Sequence, residues 1–284
     1  MILAANIASK LQNKSELARE MGVSRRSLYY QQKMPEKDLA IANKIKEVME
    51  KHSSYGYRRI AMALKINHKR ALRVMQLFDL KVKRKSKIYK KIDDIKQPKS
   101  NYKNLLATTK INKPNQVWSG DFTYLKYQNN KHIFLATVID AYTREILGYE
   151  LSVKHDANLV INALFDAIKT RRNKHPKIFH CDQGSEYKSK EFVNILQSLK
   201  IRLSMSNKAS PWQNGKQESF YGKFKLELGD PRNYDSYGEL FAAISKQIFY
   251  YNNERIHTAL KMPPSLFCLK YIGLQNKQNI IHAN

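Results

Sequence analysis

The pattern of hydrophobic and polar positions changes character at about residue 114. Beyond that point, short apolar or alternating runs predict strands, and amphipathic stretches between them predict helices. The predicted strands are 117–127, 132–140, 145–153, 178–182 and 201–203. The predicted helices are 156–172, 190–199, a helix that contains Glu218, and 236–252. The run 132–140 is nearly all apolar, as expected of a strand that is covered on both faces.

This order of elements predicts an α/β fold. Three hairpin-linked strands are followed by helix, strand, helix, strand and helix, which is the order of an RNase H-like core. Such a core is a mixed five-stranded sheet with flanking helices. Asp156 and Ser236 stand where helix caps are expected. At 284 residues, the chain is long enough for this domain and one or two smaller ones.

The residues that precede the core are predicted to be helical. The stretch 15–31 fits a helix-turn-helix, in which Ser15 caps the first helix, Gly22 makes the turn, Val23 packs between the helices and Ser24 caps the second. An ordinary helical hairpin is the alternative. The second helix would present three side chains to the major groove of DNA: Arg25, Arg26 and Tyr29.

A second helical unit is predicted to follow, with Pro35 opening one helix and Asn67 capping another. Four residues of the first of these helices are predicted to form its apolar face: Leu39, Ala40, Ile45 and Val48. Five cations of the unit are candidate contacts to DNA phosphates, although some could simply face solvent: Arg58, Arg59, Lys69, Arg70 and Arg73.

Charge adds a polyanionic partner to this picture. The chain has 51 Lys and Arg against 24 Asp and Glu, and its net charge is +27. Residues 1–115 carry +19 of that excess, and residues 81–103 hold ten basic and two acidic side chains. This run predicts a linker that follows the DNA backbone and adds affinity without sequence information. A ribosome-associated or merely solvated basic surface is the less favoured alternative.

The chain is thus predicted to divide into five parts. These are a helix-turn-helix (1–34), a second helical DNA-binding domain (35–85), a basic linker (86–113), an RNase H-like catalytic core (114–270) and a C-terminal tail (271–284). Cys181 and Cys268 lack CxxC spacing, which excludes a zinc finger and a disulfide framework. The opening residues do not resemble a secretory signal, and no run of eighteen apolar residues occurs. An intracellular protein without membrane contact is expected.

Three carboxylates indicate the chemistry: Asp121 in a predicted strand, Asp182 at the end of another, and Glu218 in a helix, with 35 residues between Asp182 and Glu218. Taken singly, each is more often a structural or solvated acid. Together they would be costly to bury unless cations compensate. Oxygen ligands of this kind favour Mg²⁺ or Mn²⁺ over zinc. Two such ions about 3.5–4 Å apart activate a nucleophile and stabilise the leaving oxygen of a phosphodiester.

Five sequence motifs carry a resemblance to a known family. They are SYGYRRI near residue 57, WSGDFTYL around Asp121, FHCDQGSEY around Asp182, SPWQNGKQESFYGKFKLEL around Glu218, and the tail YNNERIHTALKMPPSLF. Over residues 15–270 the chain resembles the second-reading-frame transposases of bacterial insertion sequences, which are DDE enzymes related to retroviral integrase. The resemblance implies that the three acids form a catalytic triad that binds two Mg²⁺ or Mn²⁺ ions.

The resemblance also implies the partners. Lys225, seven residues after Glu218, would contact the end of the element near the scissile phosphate, and Gln217 and Asn214 would touch the terminal nucleotides. The DNA would be the terminal inverted repeats and the target. Two ends must be held together, so a homodimer or larger oligomer on DNA is expected in the bacterial cytoplasm, associated with the nucleoid. An upstream-reading-frame protein is a further candidate partner, because no sustained heptad precedes residue 50.

Two other functions stay open at this stage. One is a catalytically silent DNA-binding regulator derived from a transposase. The other is an RNase H-like nuclease that cuts DNA without transferring strands. The intact triad favours catalysis over the first, and the two DNA-binding units favour transposition over the second. The sequence assigns no role to Arg255, His257 or Trp212.

Overall fold

The computed structural model describes residues 14–29, 34–82, 102–128, 131–207 and 214–281. A five-stranded sheet forms the centre of the molecule. Its strands are β1 (Val117–Lys126), β2 (His132–Asp140), β3 (Ile146–Ser152), β4 (Ile178–Cys181) and β5 (Arg202–Met205). The helices of this part are α5 (Ala157–Thr170), α6 (Lys190–Ser198), α7 (Gly215–Leu228), α8 (Tyr237–Asn253) and α9 (Pro264–Ile281). Before them lie α1 (Lys14–Glu20), α2 (Met34–Lys51), α3 (Tyr57–Leu64) and α4 (His68–Leu77).

The sheet is mixed, with the order β3-β2-β1-β4-β5. The first three strands form an antiparallel meander, in which Asp121 of β1 stands opposite Thr137 of β2. β4 pairs in parallel with β1, and β5 pairs in parallel with β4. This is the predicted RNase H-like core, and the predicted caps Asp156 and Ser236 accept hydrogen bonds from the first turns of α5 and α8. The sheet places β1 and β4 side by side at its centre.

Each face of the sheet is covered, as the apolar run of β2 predicts. Ala136 and Val138 belong to a core that also contains residues of α5 and α6. Leu135 and Ile139 belong to a second core, with residues of α7 and α8. The alternation along β2 follows from the period of two in a strand. α7 is therefore fixed against the same sheet that carries β1 and β4.

The N-terminal helices differ from the prediction in several details. Ser15 lies inside α1 and does not cap it, because the described helix already begins at Lys14. Val23 is 41% exposed, so it does not pack between two helices. The predicted second helix is a short 3-10 helix, Arg25–Tyr29, whose first turn is capped by Ser24.

The apolar face predicted for α2 is also partly wrong. Leu39 is 52% exposed and Ala40 is exposed as well. The buried positions are Asp38, Ala42 and Ile45. Asp38 is charged but lies on the buried face. The prediction looked for apolar residues and therefore chose its neighbour Leu39 instead.

The described residues at either end of the core belong to it, whereas residues 86–101 of the predicted linker lie outside the described part of the chain. Residues 105–107, in the predicted linker, form a 3-10 helix, and Leu105, Leu106 and Ile111 pack against Val117 and Ile178. α9 continues without a break from Pro264 through residue 270, where the tail was predicted to begin. Within the described residues, none of the helices is both long and apolar enough to cross a membrane.

Candidate active site

Three elements of the core carry the predicted catalytic acids. Asp121 lies in the middle of β1, and Asp182 directly follows β4. Because β4 runs parallel to β1 with His180 beside Ser119, the end of β4 reaches the level of Asp121. Glu218 stands in the first turn of α7, where its side chain is exposed. The topology thus directs all three acids to one region of the sheet.

α7 is held on the sheet by buried polar side chains. The amide of Gln217 donates to the carbonyl of Ser119 at 2.6 Å, and the hydroxyl of Tyr221 donates to the carbonyl of Asp121 at 2.8 Å. The hydroxyl of Ser119 and the amide oxygen of Asn214 lie 2.7 Å apart in a further hydrogen bond. These bonds satisfy buried polar groups and fix the helix that carries Glu218 relative to the strand that carries Asp121.

The same bonds bear on two predicted DNA contacts. Gln217 is fully buried, and Asn214 is 6% exposed. Burial of both side chains favours a role in positioning α7 over the predicted contact with terminal nucleotides. The sequence could not distinguish the two roles. A polar residue that hydrogen-bonds to a strand of its own protein has the same sequence pattern as one that binds a ligand.

The electrostatics of the site come from crowding of negative charge. The pKa of Asp121 is raised to about 7, first by burial and then by the neighbouring charges of Asp182 and Glu218, while its hydrogen bond with the N–H of Phe122 lowers it. Burial also raises the pKa of Asp182. The N–H of Gly184 donates to its carboxylate at 2.9 Å, and this hydrogen bond lowers the pKa in part. Like charges that disfavour ionisation in this way are relieved by a bound cation.

The three acids are not arranged as a preformed metal site. Among the described residues, no group of three or more His, Cys, Asp or Glu has the geometry to hold a metal ion. Glu218 is exposed, so it lies at the solvent side of the two more buried aspartates. The donor set is nevertheless chemically suited to a hard divalent cation, since all three groups are carboxylates and their mutual repulsion already raises the pKa of Asp121.

Lys225 is a cation that lies close to these acids. It lies two turns after Glu218 on the same side of α7. Its ammonium donates to the carbonyl of Tyr124 at 3.0 Å and lies 5.2 Å from the centre of the Tyr124 ring. It also lowers the pKa of Asp121. The structure therefore places Lys225 close enough to the acids to influence their charge.

Glu186, a carboxylate in the loop that follows Asp182, contacts His155, a residue that the sequence did not point to. Glu186 is 5% exposed, and its Oε1 lies 3.0 Å from Nε2 of His155. His155 in turn packs its ring against Phe122 and Phe134. His155 lies 31 residues before Glu186 in the sequence, and no motif connects them. Glu186 thus supports the loop after β4.

The cations predicted to contact DNA fall into two groups. Four of them are exposed and form no ion pair among the described residues: Arg25, Arg26, Arg58 and Lys69. The other three make contacts within the protein. Arg73 donates to Asp38 at 2.7 Å, Arg70 approaches the same carboxylate at 3.7 Å, and the bond from Arg73 lowers the pKa of Asp38. Arg59 is buried against the ring of Tyr55. Trp212 lies outside the described residues.

Comparison with known proteins identifies the family. Two models, both described as "Integrase core domain", match residues 111–211 and 199–264. The chain is 32% identical over 256 residues to the putative transposase InsK for insertion sequence element IS150 of Escherichia coli K12, covering 87% of this chain and 89% of that protein. It is also 32% identical to the transposase for insertion sequence element IS904 of Lactococcus lactis, covering 78% of this chain and 89% of the relative.

Solved structures give more distant likenesses. The catalytic core domain of the HTLV-2 integrase, solved with magnesium, is 23% identical with a TM-score of 0.45, covering 54% of this chain and 96% of that one. An intasome of simian T-cell lymphotropic virus gives 20% identity and a TM-score of 0.48, covering 79% of this chain and 74% of that one. The assignment rests on the sequence matches. By its identity to a curated relative over nearly the full length of both, the chain belongs to the insertion-sequence transposases with an integrase core domain.

Proposed function

We propose that this protein binds the ends of an insertion sequence and catalyses metal-dependent cleavage and transfer of DNA strands. The observation that carries the proposal is the position of Asp121. Asp121 is partly buried at the centre of the sheet, and the charges of both Asp182 and Glu218 act on its carboxylate. Three acids from two strands and a helix are rarely brought together for stability, because their repulsion costs free energy.

Asp121, Asp182 and Glu218 would be the ligands of two divalent ions, Mg²⁺ or Mn²⁺, per active site. When bound, such ions lower the pKa of an attacking water or 3′-hydroxyl and neutralise charge on the leaving oxygen. The chain contributes the positions of the ligands. The bonds of Gln217 and Tyr221 to β1 keep the Glu218 helix at a fixed distance from Asp121.

The reaction consists of two displacements at phosphorus. In the first, the oxygen of water bonds to the phosphorus at the end of the element, and the bond from phosphorus to the 3′-oxygen breaks, which leaves a 3′-hydroxyl. In the second, that hydroxyl bonds to the phosphorus of a new strand and displaces its 3′-oxygen. One bond forms and one breaks in each step, so no ATP is required and no covalent enzyme intermediate forms.

DNA would be held at several places. Lys225 stands beside the acids, where its ammonium can contact a phosphate of the bound end. The exposed cations of the N-terminal helices, Arg25, Arg26, Arg58 and Lys69, would bind the backbone further away. Synapsis of two ends requires at least two copies of the chain on the DNA. The net charge of +27 supports strong binding to the DNA backbone.

The test is a strand-transfer assay with purified protein, a duplex that carries the end of the element, and Mg²⁺. We expect two products on a sequencing gel: cleaved ends with a 3′-hydroxyl, and longer strands that join the end to new DNA. A nuclease would give the cleaved ends alone, and a DNA-binding regulator would shift the duplex in a native gel without cutting it. Either result would contradict the proposal.

A further inference from the structure

A cavity of about 230 Å³ lies on the side of α7 that faces away from the acids. It is enclosed by α7, the turn between β2 and β3, α8 and the segment that follows α8. We refer to it as the basic pocket. The residues that line it are Ile139, Arg144, Gly215, Lys216, Ser219, Phe220, Lys223, Tyr251, Arg255 and His257. Lys216 and Lys223 are seven residues apart, on one side of α7, and Glu218 and Lys225 occupy roughly the opposite side.

The charge of the basic pocket is of one sign. Arg144, Lys216, Lys223 and Arg255 are all cations, and none of the described residues that line it is Asp or Glu. Arg255 already donates to Glu227 at 2.8 Å. The side chain of Arg144, in contrast, forms no ion pair among the described residues. Asp140 and Glu227 offset part of this charge, because Asp140 acts on Arg144 and Lys216 and Glu227 pairs with Arg255. Positive charge remains in excess, so the arrangement favours an anion.

The position of Arg144 is built into the turn that precedes β3. Its φ is +65°, in the left-handed region that arginine seldom adopts. Asp140 holds this turn, because its carboxylate accepts the N–H of Tyr142 at 2.8 Å and that of Thr143 at 3.0 Å, and its carbonyl accepts the N–H of Arg144 at 2.9 Å. A non-glycine residue in this region is strained, and it persists only where the surrounding structure holds it.

His257 closes the other side of the pocket. Its backbone N–H donates to the carbonyl of Met262 at 3.0 Å, and its backbone carbonyl accepts the N–H of Lys261 at 2.8 Å. These two bonds fix the backbone of His257. Its Nδ1 is buried and has no hydrogen-bond partner among the described residues. The pKa of His257 is lowered to about 4, first by burial and then by the nearby charges of Arg144 and Lys223. A bound anion would offset both the missing bond and the repulsion.

We infer that the basic pocket binds one phosphate group of the DNA backbone, at a second point beside the active site. This inference rests on the proposed function, which brings DNA to the other side of α7. The cavity is smaller than the roughly 300–1,000 Å³ of pockets for drug-sized ligands, which suits a phosphate better than a nucleoside. An α-helix is about 10–12 Å across and the major groove about 12 Å wide, so two phosphates of one duplex can flank α7.

The inference gives a role to part of the tail motif. Arg255 and His257, which follow α8, would complete a phosphate site whose other half is Arg144 and α7. A contact of this kind carries no sequence information but fixes the register of DNA on the protein. It would hold the duplex by a second phosphate while Glu218 and Lys225 face the scissile one.

The first test is the salt dependence of DNA binding by the full chain. We compare wild type with Arg144→Gln, and use Arg202→Gln as the control, because Arg202 is an exposed arginine on the edge strand β5, outside the pocket. Loss of one phosphate contact should reduce the slope of log K against log salt by about 0.9, equally on end and scrambled duplexes. Arg144→Lys should keep most of the slope.

Lys223→Gln tests the same pocket from an exposed position of α7, should Arg144→Gln fold poorly. Slopes equal to wild type in both variants, with strand transfer intact in wild type, would overturn the inference and leave the proposed function standing. Failure of strand transfer in wild type would instead count against the proposed function.

The second test needs no DNA. The ring of His257 is titrated by NMR with and without inorganic phosphate, using His257→Gln to assign its signal. We expect phosphate to raise the pKa of His257 in wild type and not in Arg144→Gln. No change in wild type would overturn the inference. A rise that is equal in both proteins would also contradict it, since the anion would then not be bound by Arg144.

Discussion

Arg255 donates from Nε to Oε1 of Glu227 at 2.8 Å, and the two side chains are only 2% and 7% exposed. Glu227 stands in the last turn of α7, and Glu218 in its first turn. The ion pair thus fixes the far end of the helix that carries Glu218, one of the three proposed catalytic acids. Arg255 comes from the tail motif, whose role the sequence left open.

The same pair reaches the N-terminal helices. The hydroxyl of Ser54, in the loop between α2 and α3, donates to Glu227. The hydroxyl of Tyr55 accepts the N–H of Ile256 at 2.6 Å, and its ring stacks on His52. The second helical unit is therefore docked on the catalytic core through the C-terminal end of α7. DNA bound by that unit would therefore be linked, through these contacts, to the helix that carries Glu218.

Breaking this pair should destabilise the protein strongly. Arg255→Ala leaves the carboxylate of Glu227 buried without its cation, and such losses cost about 3–5 kcal/mol. Urea unfolding measures the change. The control is Arg232→Ala, which breaks the exposed pair with Asp230 and should leave the midpoint almost unchanged. Equal, small effects of the two substitutions would show that the buried pair does not hold the two units together.

Gly148 should not tolerate a side chain. A Cβ at this position of β3 would lie 2.3 Å from the carbonyl oxygen of Ala163 and from the amide nitrogen of Ala167, both backbone atoms of α5. Gly148→Ala should therefore cost about 1–3 kcal/mol or more, since backbone must move. Gly222→Ala is the control. Nothing lies within 4 Å of its Cβ, and alanine should stabilise α7 by about 0.5–1 kcal/mol. Thermal unfolding distinguishes the two, and a stabilised Gly148→Ala would contradict the packing described here.

Metal-free protein should lose stability as pH rises. The pKa of Asp121 is about 7 in the folded protein and 3.8 as its ordinary value. Between these values the folded state binds more protons than the unfolded one, so stability falls from about pH 4 to pH 7 and then levels off. The difference is at most about 4 kcal/mol. Asp121→Asn should remove this slope, and Mg²⁺ should restore stability to wild type at pH 8. Parallel profiles of stability against pH for the two proteins in EDTA would contradict the raised pKa of Asp121.

Lys225 should act on both DNA and the acids. Lys225→Gln removes one phosphate contact, so the slope of log K against log salt on the end duplex should fall by about 0.9. Because Lys225 lowers the pKa of Asp121, the pH at which cleavage sets in should also rise. Lys225→Arg should preserve both properties. The exposed Lys169→Gln on α5 controls for net charge, and a result identical to that control would rule out the contact.

Much of the core could be predicted because its signals are local. The apolar run of β2 and the caps Asp156 and Ser236 lie within the elements they define. Asp182 could be placed near Asp121 because the predicted strand order puts their two strands side by side, as the structure has them. The local pattern gave a wrong prediction where a buried polar group pairs with a residue far away in the sequence. Asp38 is the example, since Arg73, which pairs with it, lies 35 residues later.

The remaining features depend on contacts between distant segments. The repeated Lys and Arg of the N-terminal helices look alike in the sequence, yet Arg58 is exposed and Arg59 is buried beside Tyr55. The basic pocket joins residues from 139 to 257, and no spacing predicts it. Glu227 likewise reads as an ordinary helix acid until Arg255 is placed against it.

The most direct test of the central claim compares wild type with Glu218→Gln on the end duplex in Mg²⁺. The control is Glu191→Gln, an exposed acid in the first turn of α6, as Glu218 is in the first turn of α7. We predict cleaved and joined strands from wild type and from the control. Glu218→Gln should bind the duplex and give neither product. Cleavage by Glu218→Gln at the rate of wild type would contradict the proposal that these three carboxylates carry out the chemistry.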